Sequence, residues 1–346
     1  ASSQCLIPYS HLDQSALASA NWLKEQGLKL AASKIFNPLP IHHISGLMAW
    51  WRSLCWKSEY ISIKPSIMRN PHLLEKKYLL KENQGTNSSI LSLVPTQLRR
   101  LLTDASSIRW LQSFSIIWLG GSLLPEDIGI HTRQLGIRLA QCYGSTETTA
   151  MVAVQKPDNF LLGENLYSNP LDDVDLRLGE KNRLEVKTKR LAIGRLVDGK
   201  FRQITNSDGW WESGDRVELV GSNNQLRILG RIDTAINSGG ETVYPENLQI
   251  KLFNAVKEMN LPIVEIYLVP VDDQEWGQRL VGLAKFSATK KKNESELLIQ
   301  LKRLIRKWPP YEQPIAWYSC PELKRNAAGK WESEKWKQWL KKIHNL

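Results

Sequence analysis

An apolar run closed by a glycine turn occurs twice in the first half of this chain, and that recurrence restricts the fold more than any other feature. Residues 115–119 are apolar after Ser115 and end in Gly120-Gly121-Ser122. Residues 136–143 repeat the arrangement and end in Tyr143-Gly144-Ser145-Thr146-Glu147-Thr148. Short apolar runs bounded by glycine read as buried strands, and each is expected to lead through its turn into a helix. Residues 90–102, ILSLVPTQLRRLL, read the same way. There a buried strand meets a Pro-Thr helix start, and Leu98, Leu101 and Leu102 face inward. Strand, turn and helix in succession predict an α/β fold with a partly parallel sheet. Ligands of such sheets bind beyond the carboxyl ends of the strands, where both glycine turns sit.

The second half changes character. Residues 174–178, 183–188, 217–220 and 225–229 are short alternating strands separated by turn residues, which predicts an antiparallel β subdomain. From Asp233 on, a helix (246–259), two strands (263–270 and 280–287) and a helix (294–307) predict a small α+β unit. The fold class is therefore α/β and α+β multidomain. The expected domains are 1–232, large, and 233–346, small and mobile, with a hinge near Asp233. A chain of 346 residues suits two domains, and a 42% hydrophobic content can fill a sizeable core. At the front, residues after Ser10 read as a helix capped by Ser10, with Leu12, Ala16, Ala20 and Leu23 on one face. The chain opens at Ala1 without Met or a signal segment, so further sequence is expected upstream.

No stretch reaches the roughly 18 apolar residues of a transmembrane helix. The four cysteines form no CxxC pair and no metal spacing with the six histidines, which fits a cytoplasmic protein with inert thiols. The net charge of +11 is compatible with nucleic acid, an anionic membrane or a phosphorylated ligand. The excess is concentrated in lysine-rich stretches near the C-terminus, which read as solvated surface. No aromatic–basic interleaving or recognition helix supports a nucleic-acid partner. The last helix, 332–343, places Trp336, Trp339, Leu340 and Ile343 at helical spacing opposite lysines. It reads as a helix docked on its own domain, with a membrane-surface helix as the other possibility.

Each polar motif has two readings. His43, after Pro38 and Pro40, is a satisfied histidine at a helix start or a pocket residue. Residues 143–147 are a capped turn into a helix, or a phosphate and metal site in which hydroxyls and free N–H groups meet an anion and Glu147 holds Mg²⁺. Residues 209–215 are a β-turn, or they present Asp215 to the two hydroxyls of a ribose. Gly239-Gly240 let backbone pass close to a ligand. Lys330, after Asn326-Ala327-Ala328-Gly329, is a solvated lysine or a mobile cation beside developing negative charge.

In order and spacing these motifs resemble the adenylate-forming superfamily of acyl-CoA synthetases, peptide-synthetase adenylation domains and luciferases, from about Phe36 to Lys330. The matching runs are Pro40-Ile41-His42-His43-Ile44-Ser45-Gly46, Leu93-Val94-Pro95-Thr96, Gly120-Gly121-Ser122 and Tyr143-Gly144-Ser145-Thr146-Glu147. They continue with Ser213-Gly214-Asp215, Gly230-Arg231-Ile232-Asp233, Gly239-Gly240-Glu241, Tyr244-Pro245-Glu246 and Asn326-Ala327-Ala328-Gly329-Lys330. The resemblance implies activation of a carboxylate by Mg·ATP to an acyl-adenylate, then transfer to the thiol of coenzyme A. It implies catalytic roles for Lys330, Thr146 and Arg231. Nucleotide or CoA contacts fall to Gly121, Ser122, Tyr143, Gly144, Ser145, Asp215, Gly239 and Gly240. His43, Ser45, Gly46 and Gly120 line the acyl pocket, Glu147 holds Mg²⁺, and Asp233 is the hinge.

Compact size and the run 38–46 are most similar to the branch that activates o-succinylbenzoate in menaquinone and phylloquinone synthesis. Trp50, Trp51 and Trp118 then either line an aromatic site or fill the core. A homodimer is compatible with the resemblance. Other acyl-CoA synthetases, a stand-alone adenylation domain and a non-catalytic nucleotide-binding relict are the alternatives. Two family features are missing: the Gly/Ser/Thr-rich phosphate loop, expected upstream of Ala1-Ser2-Ser3, and the Gly-Glu motif, of which Arg183-Leu184-Glu185-Val186 keeps only the strand.

Overall fold

The computed structural model describes residues 4–31, 33–78, 88–163, 167–287, 294–326 and 329–344. Ala1-Ser2-Ser3 and Ala327-Ala328 lie outside them. Two compact units are present. One takes the described residues up to Ser213 with Val217–Ile228 and Gly329; the other takes Gly214–Arg216, Leu229–Asn326 and the chain from Lys330 onward.

In the first unit, β1 (Gln4–Leu6) leads to α1 (Tyr9–Glu25). Ser10 is not the cap: the Pro8 carbonyl already accepts the His11 N–H at 2.9 Å, so the first turn closes with Pro8 at the cap position. Leu12, Ala16, Ala20 and Leu23 are buried, as their spacing predicts. Then follow β2 (Lys34–Asn37), α2 (Ile44–Trp56), β3 (Glu59–Ser62), β4 (Ser89–Leu93), α3 (Pro95–Leu101), β5 (Ile116–Leu119), α4 (Glu126–Gln134), β6 (Leu139–Ser145), β7 (Ala150–Val154) and β8 (Asn169–Pro170). The sheet order is β3-β2-β4-β5-β6-β7-β8. Pairing is parallel from β3 through β6 and antiparallel from β6 to β8.

Side-chain alternation explains why these strands read as continuous apolar runs. Ile35, Ile90, Ile116 and Trp118 enter one core, while Phe36, Leu91, Ile117 and Leu119 enter another. Both faces of the sheet are covered, so apolar residues dominate both; the polar exceptions Asn37, Ser89 and Ser92 are buried as well.

The helix expected after Thr148 is absent. The chain turns at 146–149 and returns as β7, antiparallel to β6, with Ser145 opposite Ala150. Tyr143, Gly144 and Ser145 are therefore strand residues and cap no helix.

The chain continues through β9 (Asp175–Leu178), β10 (Arg183–Lys187), β11 (Gly194–Val197), β12 (Lys200–Arg202), β13 (Trp211–Val220) and β14 (Gln225–Arg231). These form a four-stranded sheet, β14-β13-β10-β9, and a three-stranded one, β1-β11-β12. The last two strands of the small sheet, of four and three residues, are too short to show an alternation in the sequence. Ser213, Gly214 and Asp215 lie inside β13 rather than in a turn. The turn comes earlier, where Asn206 Oδ1 accepts the N–H groups of Asp208 (3.1 Å) and Trp210 (2.9 Å).

In the second unit the order is β15 (Ile236–Ser238), β16 (Glu241–Val243), α5 (Pro245–Glu258), β17 (Ile263–Asp273), β18 (Gly277–Phe286), α6 (Glu294–Leu304), β19 (Ala316–Ser319) and α7 (Ser333–His344). Its sheet runs β16-β15-β18-β17, with β19 parallel to β18. Helical spacing puts Leu297, Leu298, Leu301, Leu304 and Ile305 on one face; Leu297, Leu301 and Ile305 are buried, and Leu298 and Leu304 are half-buried against the same core. Trp336 and Leu340 of α7 are buried against Tyr267, Val269 and Leu323, whereas Ile343 is exposed. The final helix thus docks on its own unit.

Candidate active site

The first unit gathers its candidate residues at the carboxyl ends of β5 and β6. Gly120 N–H donates to the Leu93 carbonyl at 3.1 Å, which ties the loop after β5 to the end of β4. Gly121 has φ +91°, a conformation that strains any residue with a Cβ, and Ser122 beside it is exposed. Val94 packs under Gly121, so the Val-Pro-Thr turn and the Gly-Gly-Ser loop support each other.

The hairpin after β6 is tight. A Cβ on Gly144 would lie 2.0 Å from the Ala150 carbonyl oxygen, so only glycine lets the two strands cross there. Thr149 and Ala150 both have positive φ, +51° and +76°, which costs L-residues strain that the surroundings must hold. Thr148 Oγ1 accepts from Ser145 N–H (2.9 Å) and donates to the Ala150 carbonyl (2.7 Å). Ser15 Oγ donates to the Thr149 carbonyl at 2.6 Å. Thr146 is left exposed at the tip, and Tyr143 is half-buried.

Glu147 turns toward the three-stranded sheet. Its carboxylate pairs with Arg195 of β11, and Cys5 Sγ lies 3.5 Å away. Burial pushes this carboxyl up, but backbone N–H donation, Arg195 and Ser145 outweigh it and hold it below the usual range. The same burial and Glu147 raise the Cys5 thiol. Among the described residues no group of three or more His, Cys, Asp or Glu could hold a metal. One ionised carboxylate still fits Mg²⁺, which takes one or two protein carboxylates and completes its octahedron with phosphate oxygens and water. Glu147 is the residue that would hold it, after exchanging Arg195 for the ion.

Two buried arginines had no signal in the sequence. Arg190 is fully buried and forks onto Asp173, Nε–Oδ2 at 2.6 Å. Its remaining donors reach the carbonyls of Thr148 and Met151, both at 2.9 Å. Arg52, on α2, is 5% exposed and donates to Ser19 Oγ at 2.9 Å. Its guanidinium lies over Trp118, 4.7 Å from the ring centroid. Among the described residues no carboxylate pairs with it. Burial lowers its pKa to about 10, and neighbouring Cys142 is pushed up to about 12 by burial. Trp118 lies in β5, two residues before Gly120, and Cys142 lies in β6 beside Tyr143, so this cation lies against the strands that carry both motifs.

None of the four expected acyl-pocket residues, His43, Ser45, Gly46 and Gly120, is among those lining the nearby cavity. A cavity of about 370 Å³ is lined by Ile41, Leu47, Trp50, Tyr60 and Ser62. His43 occupies the cap position of α2, exposed, with its ring 4.4 Å from that of His42. Ser45 is exposed too, while Gly46 is buried for a packing reason. A Cβ there would stand 2.2 Å from the Pro40 carbonyl oxygen. Of the tryptophans, Trp50 lines the cavity, Trp118 is core, and Trp51 stacks on Tyr9 and donates to Asp13.

The second unit brings Asp215, Arg231 and Asp233 together. Arg231 forks onto Asp233, with Nε 2.7 Å from Oδ1, and its other nitrogen lies 3.6 Å from Asp215 Oδ1. Gly214 makes the room, because a Cβ there would be 2.6 Å from the Arg231 guanidinium. Asp215 is the buried member, at 14% side-chain exposure, whereas Arg231 and Asp233 are about half exposed at 47% and 55%. Gly239 and Gly240 form the exposed β15–β16 turn, both with positive φ, and the Trp276 ring fills the place of a Gly239 side chain. Lys330 is exposed; its N–H donates to Asn326 Oδ1 at 2.9 Å, and its carbonyl accepts the Asn326 N–H at 2.9 Å.

The family model for AMP-binding enzymes matches residues 6–189. The chain belongs to the AMP-binding enzyme family. It is 28% identical over 305 residues to the 2-succinylbenzoate–CoA ligase of Escherichia coli (strain K12), covering 88% of this chain and 59% of that relative. It is also 28% identical over 287 residues to the 2-succinylbenzoate–CoA ligase of Haemophilus influenzae, covering 82% and 57%. The chain thus spans about 59% of the length of the first of these relatives. Among solved structures, a variant of E. coli MenE with bound OSB-AMS matches at TM-score 0.72 and 25% identity, over 97% of this chain and 66% of that one. MenE from Bacillus subtilis in complex with the acyl-adenylate intermediate OSB-AMP shares the fold at TM-score 0.71 and 22% identity, over 96% and 66%. The fold is that of an adenylate-forming enzyme.

Proposed function

We propose that this chain belongs to an AMP-forming acid–CoA ligase that converts o-succinylbenzoate to its CoA thioester, the step used in menaquinone and phylloquinone synthesis. The observation that carries this is the likeness to 2-succinylbenzoate–CoA ligase over 88% of the chain, with the family's motifs in order. A cytoplasmic location goes with it.

In the first half-reaction a substrate carboxylate oxygen attacks the α-phosphorus of ATP and pyrophosphate leaves. In this reading Lys330 bridges the carboxylate and the α-phosphate, where charge builds as the bond forms, so its cation acts mainly on the transition state. Thr146, at the exposed tip of the hairpin, donates to the α-phosphate, while Gly121, Ser122, Gly144 and Ser145 shape the loops around the nucleotide. Tyr143 lies by the adenine. Asp215 accepts the ribose hydroxyls, and Arg231 offers a planar fork that lysine would not reproduce. Glu147 is the residue that would hold Mg²⁺, which would neutralise phosphate charge. His43, Ser45, Gly46 and Gly120 belong to the acyl side of the site.

In the second half-reaction the CoA thiol attacks the acyl carbonyl and AMP leaves with the bonding pair. In this reading Asp233 is the hinge, Lys330 serves the first half-reaction, and Gly239-Gly240 serve the second, where pantetheine needs close backbone approach. The substrate has two carboxylates, only one of which reacts. Arg52, buried without an acidic partner among the described residues, is suited to be the counter-charge for the second, since a buried cation is costly until an anion joins it.

The test is a carboxylate panel that includes o-succinylbenzoate, scored by CoA-dependent AMP release from the complete protein. Release with o-succinylbenzoate well above benzoate and simple fatty acids is expected. Absence of AMP with every acid would refute the ligase.

A further inference from the structure

We propose that Arg190, anchored by Asp173, is the positioning residue that holds the 146–150 hairpin in its strained backbone form and so aims Thr146 and Glu147 at the nucleotide. This role rests on the adenylate-forming function proposed above.

The hairpin cannot keep its shape by local propensity. Thr149 and Ala150 are consecutive, both with φ in the left-handed region, and neither is glycine or asparagine. The neighbouring chain must therefore hold them there. Arg190 supplies three of the bonds that hold them. Its guanidinium donates to the carbonyls of Thr148 and Met151, the two residues that bracket the strained pair, at 2.9 Å each. The Arg190 carbonyl accepts from Thr149 Oγ1 at 2.5 Å. One residue therefore grips the turn before, at and after the strain. Asp173 orients the guanidinium through Nε (2.6 Å) and a terminal nitrogen (3.3 Å), and its own side chain is 37% exposed. The pair thus has a hydrated end at Asp173, whereas the Arg190 side chain has no exposure at all.

The residues displaced if this grip fails are the two at the tip. Thr146 and Glu147 directly precede Thr148, and the Thr149 N–H donates to the Thr146 carbonyl at 3.1 Å. A lysine at 190 could keep one contact with Asp173 but has no rigid fork to reach two carbonyls as well.

The experiment compares the wild type with Arg190→Lys, Asp173→Asn and the double variant Arg190→Lys/Ala150→Gly. It measures Mg·ATP and AMP binding by calorimetry and amide exchange by mass spectrometry. With Arg190→Lys, nucleotide binding is expected to weaken about ten-fold or more, because small displacements of aligned groups are costly. Exchange at 146–151 should rise about ten-fold while the strands at 89–93 and 116–119 keep their protection. Glycine at 150 tolerates positive φ, so the double variant should regain much of the lost affinity. Asp173→Asn, which keeps the volume and loosens the anchor, should shift both readouts in the same direction and decides the matter if Arg190→Lys does not fold. Unchanged exchange at 146–151, or a uniform loss of protection with no rescue by glycine, would overturn the positioning role. A wild type that binds no nucleotide would refute the adenylate-forming function. In that case the exchange data alone still tell whether Arg190 holds the turn.

Discussion

Arg190–Asp173 in the first unit and Arg231–Asp233 in the second are both forked arginine–aspartate pairs, yet they are built for opposite purposes. The Arg190 side chain has no exposure and is bonded to two main-chain carbonyls besides its aspartate. Arg231 is half exposed, its aspartate is two residues away in sequence, and Asp215 is a second acid within 3.6 Å. A buried, fully bonded cation is hard to move, because losing any partner strands a charge away from water. An exposed fork is easily exchanged, since water and salt replace either partner at little cost. The first pair fits a hairpin that must stay still. The second fits the hinge proposed near Asp233, where partners that exchange readily are needed.

The largest effect should come from removing the anchor of the buried cation. Asp173→Ala leaves Arg190 uncompensated and is expected to destabilise the first unit by about 3–5 kcal/mol, measured by denaturant unfolding; a loss below 1 kcal/mol would show that the Arg190 guanidinium is not buried in solution. Next is Lys330→Ala, expected to slow adenylation about 10²–10³-fold while thioester formation from supplied acyl-adenylate continues. Equal loss in both half-reactions would place the lysine elsewhere. Asp233→Ala should change stability by no more than about 1 kcal/mol but alter the ratio of the two half-reaction rates; an unaltered ratio would move the hinge away from this residue.

The smallest effect is a pH dependence. Glu147 is held below the usual carboxylate range in the folded state, so it binds its proton less readily there than in the unfolded chain. Its contribution is present above the unfolded carboxyl pKa, about 4.3, and is lost as pH falls through the lower folded value. Between pH 5 and the acid limit of folding, wild type should therefore lose more stability than Glu147→Gln. Parallel curves would mean that Arg195 does not pair with Glu147.

The sheet and the order of the motifs were legible because their signals are local. Apolar runs at 90–93 and 116–119 mark strands buried on both faces, and glycines at 120 and 121 mark the turn that follows. The hairpin after β6 was not legible. Ser145 and Thr146 have the chemistry of a helix cap, and the turn is decided instead by distant residues, Ser15 and Arg190. Arg190 itself sits in Lys187-Thr188-Lys189-Arg190, where nothing local separates a buried arginine from a solvated one. Likewise Asp215 read as a turn residue because glycines and tryptophans precede it, while the side-chain bonds of Asn206 close the turn earlier and leave Asp215 in a strand. Gly46 and Gly144 were read by motif, and the structure adds a reason independent of ligand, since neighbouring carbonyl oxygens occupy the space of a Cβ.

The most direct measurement is calorimetric titration of the chain with a sulfamate analogue of o-succinylbenzoyl-adenylate, with AMP and o-succinylbenzoate titrated separately. A ligase complementary to its acyl-adenylate should bind the analogue at one site per chain, at least about 10²-fold more tightly than AMP, and Arg52→Met should erase most of that preference. No binding, or equal affinity for the analogue and AMP, would contradict an acid-activating site in this chain.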